Sequence, residues 1–195
     1  MVKDEAIEMF VGGLVVDKNT DSPVVILRDE KGDITLPIWI GLAEATSIAS
    51  ALNQIVPSRP LSHDLMHKII TEVGAKLERV VISELRDATF FAELVVSVGE
   101  RVSFIDARPS DALAIALREA APIFVHLSVL DQVRETNIPI PIPAKEESDA
   151  KSGEEASGPE DTIKPHTASD FRAIDKKKWK EILSELDPDD FKYKM

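Results

Sequence analysis

Apolar and polar positions along the chain assign most elements directly. Val24–Arg28 and Ile34–Ile40 are two apolar, β-favouring runs separated by the turn-rich stretch Asp29–Asp33, the pattern of a hairpin. The earlier run Ile7–Val16 is expected to join the same sheet. Between Gly41 and Ile55, Leu42, Ala45, Thr46, Ala49 and Leu52 recur at helical spacing, which predicts a helix with one buried stripe. Pro57 and Pro60 end it. A second helix is expected to open at Ser62, a good N-cap, and to run to near Gly74 with Leu65, Ile69, Ile70 and Val73 facing inward.

The pattern then recurs. Leu77–Leu85, Thr89–Val98 and the shorter Val102–Asp106 read as strands, Pro109–Ala120 as a strong helix, and Ile123–Val125 as a last strand. A shift of 67 residues lays Ile38 on Ile105, Glu44 on Asp111, Ala45 on Ala112, Ile48 on Ile115 and Ala49 on Ala116, which suggests an internal duplication. The Pro139–Pro143 run should be extended, because each proline lacks a donor and turns its predecessor away from helix. It closes a domain expected to span residues 1–143. Residues 144–168 are nearly devoid of apolar side chains and read as a flexible polar linker. In residues 169–195, Phe171, Ile174, Trp179, Ile182, Leu183 and Leu186 share a helical face, with Lys176–Lys178 exposed. Such a helix is marginal alone and needs its own core, a second subunit or another protein to dock on.

Composition narrows the class. No apolar run reaches a membrane-spanning length of about 18 residues, and Met1–Phe10 carries acids where a secretory signal needs a basic region, so a soluble, cytoplasmic protein is expected. The chain has no cysteine, which removes disulfide and thiolate chemistry. Its formal charge is −12. Residues 1–143 hold 13 Lys and Arg against 21 Asp and Glu, a net of −8, and the remainder 10 against 14, a net of −4. A polyanion must therefore be met by a local arginine cluster or by metal ions on the acids, against a repulsive overall field.

Two polar segments, Arg59–Leu65 and Asp106–Asp111, stand out in an otherwise apolar domain. Asp106 ends a strand and Asp111 lies in the first turn of the next helix, so both carboxylates could reach one sheet edge and hold Mg²⁺ or Mn²⁺ to activate water. Equally, Pro109 suits the first helical position and Asp111 the third, where an acid is stabilised by free amides and the helix dipole. Arg59, Arg108 and Arg118 could seat phosphate beside a helix N-terminus, or merely neutralise neighbouring acids. His63 and Asp64 follow Ser62, and His67 is one turn beyond His63; the pair could ligate a metal, or a histidine could work as a base with an orienting acid. The HDLMH stretch lacks the glutamate of the zinc-protease signature, which argues against a protease. Glu44 is either a favourable first-turn acid or, through the duplication, a partner of Asp111. No nucleophile elbow, Walker loop or dinucleotide glycine pattern is present.

The runs LPIWIGLAEA from Leu36, RPLSHDL from Arg59, TFFAEL from Thr89 and IDARPSDALAIALR from Ile105 resemble the bifunctional nuclease domain family over roughly Ile7–Leu130. The resemblance implies an α+β domain with a duplicated β-α-β-β unit in a mixed sheet packed with helices, and self-association, a dimer first. It also implies DNase and RNase activity. Motif by motif, His63 and Asp64 match the HDL element, Asp106, Arg108, Ser110 and Asp111 the DARPSD element, and Glu44 the first-helix acid. The resulting expectation is a metal-assisted nuclease in which Asp106, Asp111 and Glu44 or Asp64 hold a divalent ion. His63 moves a proton, and Arg59, Arg108 and Arg118 position phosphate, on single-stranded rather than duplex nucleic acid. The alternative is a noncatalytic anion-binding or regulatory interaction module, which needs no basic groove.

Overall fold

The computed structural model describes residues 5–135, so the expected extended proline run, the linker and the C-terminal helix lie outside the described residues. The chain forms an α+β domain with one mixed seven-stranded sheet and four helices among the described residues. β1 (Ala6–Val16), β2 (Pro23–Arg28) and β3 (Thr35–Trp39) make an antiparallel meander that leads into α1 (Leu42–Leu52). After α2 (Ser62–Glu72), β4 (Lys76–Arg86), β5 (Thr89–Val98) and β6 (Arg101–Ala107) make a second antiparallel meander, which leads into α3 (Pro109–Glu119). The duplication expected from the 67-residue shift is thus visible as the same order of elements used twice. β7 (Ile123–His126) enters between the halves, antiparallel to β1 and parallel to β4, giving the order β3-β2-β1-β7-β4-β5-β6.

Alternation decides where the core sits. Val25 and Leu27 of β2 point to the side of the sheet that carries the main core, with Leu36 and Ile38 opposite them in β3. Val24 and Ile26 point the other way, into a small cluster with Val15 and Trp39. β2 is covered on both faces, which explains why its sequence is a continuous apolar run. On the main-core side, Ala45, Ile48 and Ala49 of α1 and Ala112, Leu113 and Ala116 of α3 are buried in the same cluster as Val80, Ile82, Ala92 and Leu94. Small residues on both helices let α1 and α3 approach closely over the sheet.

Three local expectations are corrected. The buried stripe of α1 is Ala45, Ile48 and Ala49, while Leu42 and Leu52 at its ends are 49% and 39% exposed. In α2 the reversal is larger: Leu65, Ile69 and Val73 are 53%, 52% and 61% exposed, and of the four residues expected inside, Ile70 alone packs on the core. The inner stripe of α2 is His63, His67 and Ile70, because the helix docks on α3 through hydrogen bonds of its histidines rather than through leucines. Ser62 is also not the cap of α2. Leu61 takes that position, and its N–H donates to Asp64 Oδ2 at 2.9 Å. A fourth helix, α4 (Leu127–Glu135), follows β7 without a loop and buries Val129, Leu130 and Val133; no capping residue precedes it to announce it in the sequence.

These burials make a direct contrast for urea unfolding. Leu113→Ala, at a fully buried position, should cost about 2–5 kcal/mol, whereas Leu65→Ala should stay within about 0.5 kcal/mol. Comparable losses at the two positions would contradict the outward face of α2.

Candidate functional site

The polar residues singled out in the sequence meet where α1, α2 and α3 pack together. His63, at the start of α2, is 9% exposed and is bonded through both ring nitrogens. Nε2 lies 3.1 Å from Asp111 Oδ1 of α3, and Nδ1 lies 2.9 Å from Ser47 Oγ of α1. A carboxylate only accepts, so Nε2 carries a proton, and when the ring is neutral the Ser47 hydroxyl donates to Nδ1. One imidazole therefore ties two helices to a third.

Asp111 is the hub of the next layer. Arg108 donates to it through Nε at 2.8 Å and Nη2 at 3.0 Å, a two-point grip, and its Nη1 lies 2.8 Å from Glu44 Oε1 of α1. Asp111 does not cap the backbone of α3, the bland role that its position allowed; its carboxylate is spent on Arg108 and His63. Partial burial alone would raise the Asp111 carboxyl, but the hydrogen bonds from Arg108 and His63 outweigh it and hold the group below its ordinary value. Asp111, followed by Glu44, in turn raises Arg108 above the usual guanidinium value.

A second set of bonds lies one turn along. Arg118 of α3 has 8% of its side chain exposed and donates to Asp64 Oδ1 at 2.7 Å, to the Ala114 carbonyl at 2.8 Å and to the Ser47 carbonyl at 3.3 Å. Asp64 likewise titrates below its ordinary value, with burial opposing and Arg118 and the Leu61 amide prevailing. His67 Nδ1 meets Glu119 Oε1 at 2.8 Å, two turns from Asp111 along α3.

Of the residues expected to form one site, His63, Asp64, Asp111, Glu44, Arg108 and Arg118 are brought into this network, and Asp106 and Arg59 are not. Asp106 stands opposite Glu93, between Ile105 and Ala107, whose partners Leu94 and Ala92 face the helices. Strand alternation turns Asp106 to the other face of the sheet, and it makes no hydrogen bond or ion pair among the described residues. Arg59 is exposed and equally without a bonded partner there. The guanidinium of Arg118 is committed to protein acceptors instead of lying open to a phosphate. Sequence reasoning missed Ser47 and Glu119. Ser47 could have been found as a polar position inside the buried stripe of α1, whereas nothing local marks Glu119 as the partner of His67.

Among the described residues, no group of three or more His, Asp or Glu side chains is placed to hold a metal ion. Glu44 and Asp111, two of the expected ligands, have the Arg108 guanidinium between them. No helix of the described residues is long and apolar enough to cross a membrane.

The family model described as the bifunctional nuclease domain matches residues 25–149. An uncharacterized protein of Mycobacterium tuberculosis is 40% identical over 185 residues, 95% of this chain and 98% of its own length. A protein of Oryza sativa subsp. japonica named bifunctional nuclease 2 is 31% identical over 121 residues, 60% of this chain and 37% of its own. Bifunctional nuclease 1 of Arabidopsis thaliana is 29% identical over 109 residues, covering 53% and 33% of the two chains. The match thus spans about a third of each plant protein.

The two depressed carboxyls fix a sign for pH dependence. Folded Asp111 and Asp64 titrate below their ordinary value of 3.8, so each stabilises the fold above about pH 4 and loses that contribution as pH falls through the folded value. Urea midpoints measured between pH 7 and pH 3 should fall for the unmodified protein. Asp111→Asn should start lower at neutral pH and fall less steeply. Parallel curves would show that Asp111 is not held by Arg108 and His63 in solution.

Proposed function

The chain belongs to the bifunctional nuclease domain family, and on that premise we propose that it cleaves phosphodiester bonds of DNA or RNA where α1, α2 and α3 begin. The observation that carries this reading is Arg108. It is 65% exposed while gripping Asp111, and three of its five N–H groups are spent on Asp111 and Glu44, which leaves two for a phosphate. The names of the rice and Arabidopsis relatives support the same class of activity. Single strands suit the site better than duplex. In the network two arginines, Arg108 and Arg118, are set against four acids, Glu44, Asp64, Asp111 and the His67-bonded Glu119, so the local charge stays acidic and long runs of phosphate would be repelled.

A resident Mg²⁺ or Mn²⁺ does not fit the donor set, since Arg108 occupies the space between Glu44 and Asp111 and Asp106 faces elsewhere. The proposed chemistry runs on protein groups. Arg108 neutralises the phosphate. Arg108 keeps its grip on Asp111 while its remaining N–H groups take the phosphate, and a lone pair of the Asp111 carboxylate, oriented by His63, serves as the base for the attacking hydroxyl or water. That oxygen bonds to phosphorus, its proton passes to the Asp111 carboxylate, and the bond to the leaving oxygen breaks as that oxygen takes a proton from water. Ser47 keeps the ring in the tautomer that this requires.

A noncatalytic anion-binding or regulatory module is the second reading, favoured by one observation: His63 is buried and both of its nitrogens are already satisfied. Such a network clamps three helices without any substrate. The two readings separate on purified protein offered single-stranded RNA, single-stranded DNA and duplex, with Mg²⁺, Mn²⁺ or chelator. The nuclease reading expects cleavage that survives chelator and drops by about 10²-fold or more in His63→Ala and Asp111→Asn. Equal cleavage by all three proteins would expose a contaminant, and binding without cleavage would favour the module.

A further inference from the structure

A cleft of about 370 Å³ opens between the β3–α1 junction, the β4–β5 turn and the start of α3. Its walls include Ile40, Gly41, Phe90, Arg108 and Ser110, and no Asp or Glu is among the residues that line it. Two helices begin there, α1 after Gly41 and α3 after Arg108, and neither has a side chain capping its first turn. Pro109 has no N–H to offer, so the amides of Ser110 and Asp111 are the free donors at the start of α3.

Ser110 adds an independent sign. It is 6% exposed, yet its hydroxyl makes no hydrogen bond among the described residues. The oxygen is not fully enclosed, and Ser110 lines the cleft. A nearly buried hydroxyl in that position is one that solvent or a ligand must satisfy.

We propose that this cleft is a seat for a phosphomonoester. The terminal phosphate accepts from Ser110 Oγ, from the amides of Ser110 and Asp111, and from the N–H groups of Arg108 not spent on Asp111 and Glu44. The attached nucleoside packs against the apolar wall of Ile40 and Phe90. The volume suits one small ligand and excludes a duplex. Glu44, whose carboxylate folds over Gly41, and Asp111 both draw on the same guanidinium, so binding is modest and weakens with salt. The choice of a nucleotide rests on the nuclease reading; the phosphate seat does not.

The test titrates the full chain with adenosine 5′-monophosphate, adenosine, inorganic phosphate, and single-stranded oligonucleotides bearing a 5′-phosphate or a 5′-hydroxyl. Binding is followed by calorimetry and by amide NMR. Adenosine 5′-monophosphate should bind saturably and adenosine should not, with the largest shifts at the amides of Gly41, Ser110 and Asp111. Ser110→Ala should weaken binding about 5-fold and Arg108→Ala about 10-fold or more, and Ser110→Ala should melt as the unmodified protein does. Competition by the 5′-phosphorylated oligonucleotide alone assigns the seat to nucleic-acid ends; competition by neither oligonucleotide assigns it to free nucleotides, and both outcomes uphold it. Undiminished binding by Ser110→Ala, shifts confined to another surface, or no saturable binding of any phosphate-bearing probe would overturn it. Cleavage is not read in this experiment, so a protein that binds but does not cleave sinks only the nuclease reading.

Discussion

His63 holds the helical layer together. Its ring takes a hydrogen bond from Ser47 of α1, gives one to Asp111 of α3, and itself rides on α2. Arg108 extends the chain of bonds back to Glu44, so α1 and α3 are linked a second time, and Arg118 fastens Asp64 to the same helices. Apolar contacts bind α1 and α3 to the sheet, whereas α2 turns much of its apolar surface outward and depends on these polar bonds for its place. Removing one partner from such a network leaves the others buried and unpaired, which is why its members act as a unit rather than as separate contributions.

The same arrangement governs the chemistry. A carboxylate gripped by a guanidinium stays ionised and is not a free metal ligand, and a histidine satisfied on both sides is fixed in orientation. What remains accessible is the outer edge of Arg108 and, beside it, the cleft at the beginning of α3 with its uncapped amides and the Ser110 hydroxyl. The proposed phosphate recognition therefore rests on a helix end and one arginine, in a molecule whose total charge is −12. Short, local contact with a phosphate is compatible with that field; a broad basic track is not present in the sequence.

Much of the fold was legible because the signals are local. Apolar, β-favouring runs bounded by turn residues marked the strands, Pro109 marked the first turn of α3, and the 67-residue shift pointed to the two meanders. The site was half legible. The two polar segments do meet, through His63 and Asp111, although 48 residues separate those partners. Asp106 looked equivalent to Asp111 because five residues of sequence are short, but strand alternation sends it to the opposite face. The inner face of α2 was misread for a related reason. Hydrophobic periodicity assumes that leucines choose the interior, and here ion pairs to α3 choose it, which nothing within α2 reveals. Ser47 was overlooked although it lies within the buried stripe of α1, where a polar residue needs a partner.

The tautomer of His63 tests this account most directly. Nitrogen-15 NMR of the imidazole, at a pH where the ring is neutral, should show a single tautomer protonated at Nε2, with a slowly exchanging proton, and with Nδ1 accepting from Ser47. A ring protonated at Nδ1, or one averaging rapidly between tautomers, would mean that the bonds to Ser47 and Asp111 are not both formed, and the three-helix network would fall with them.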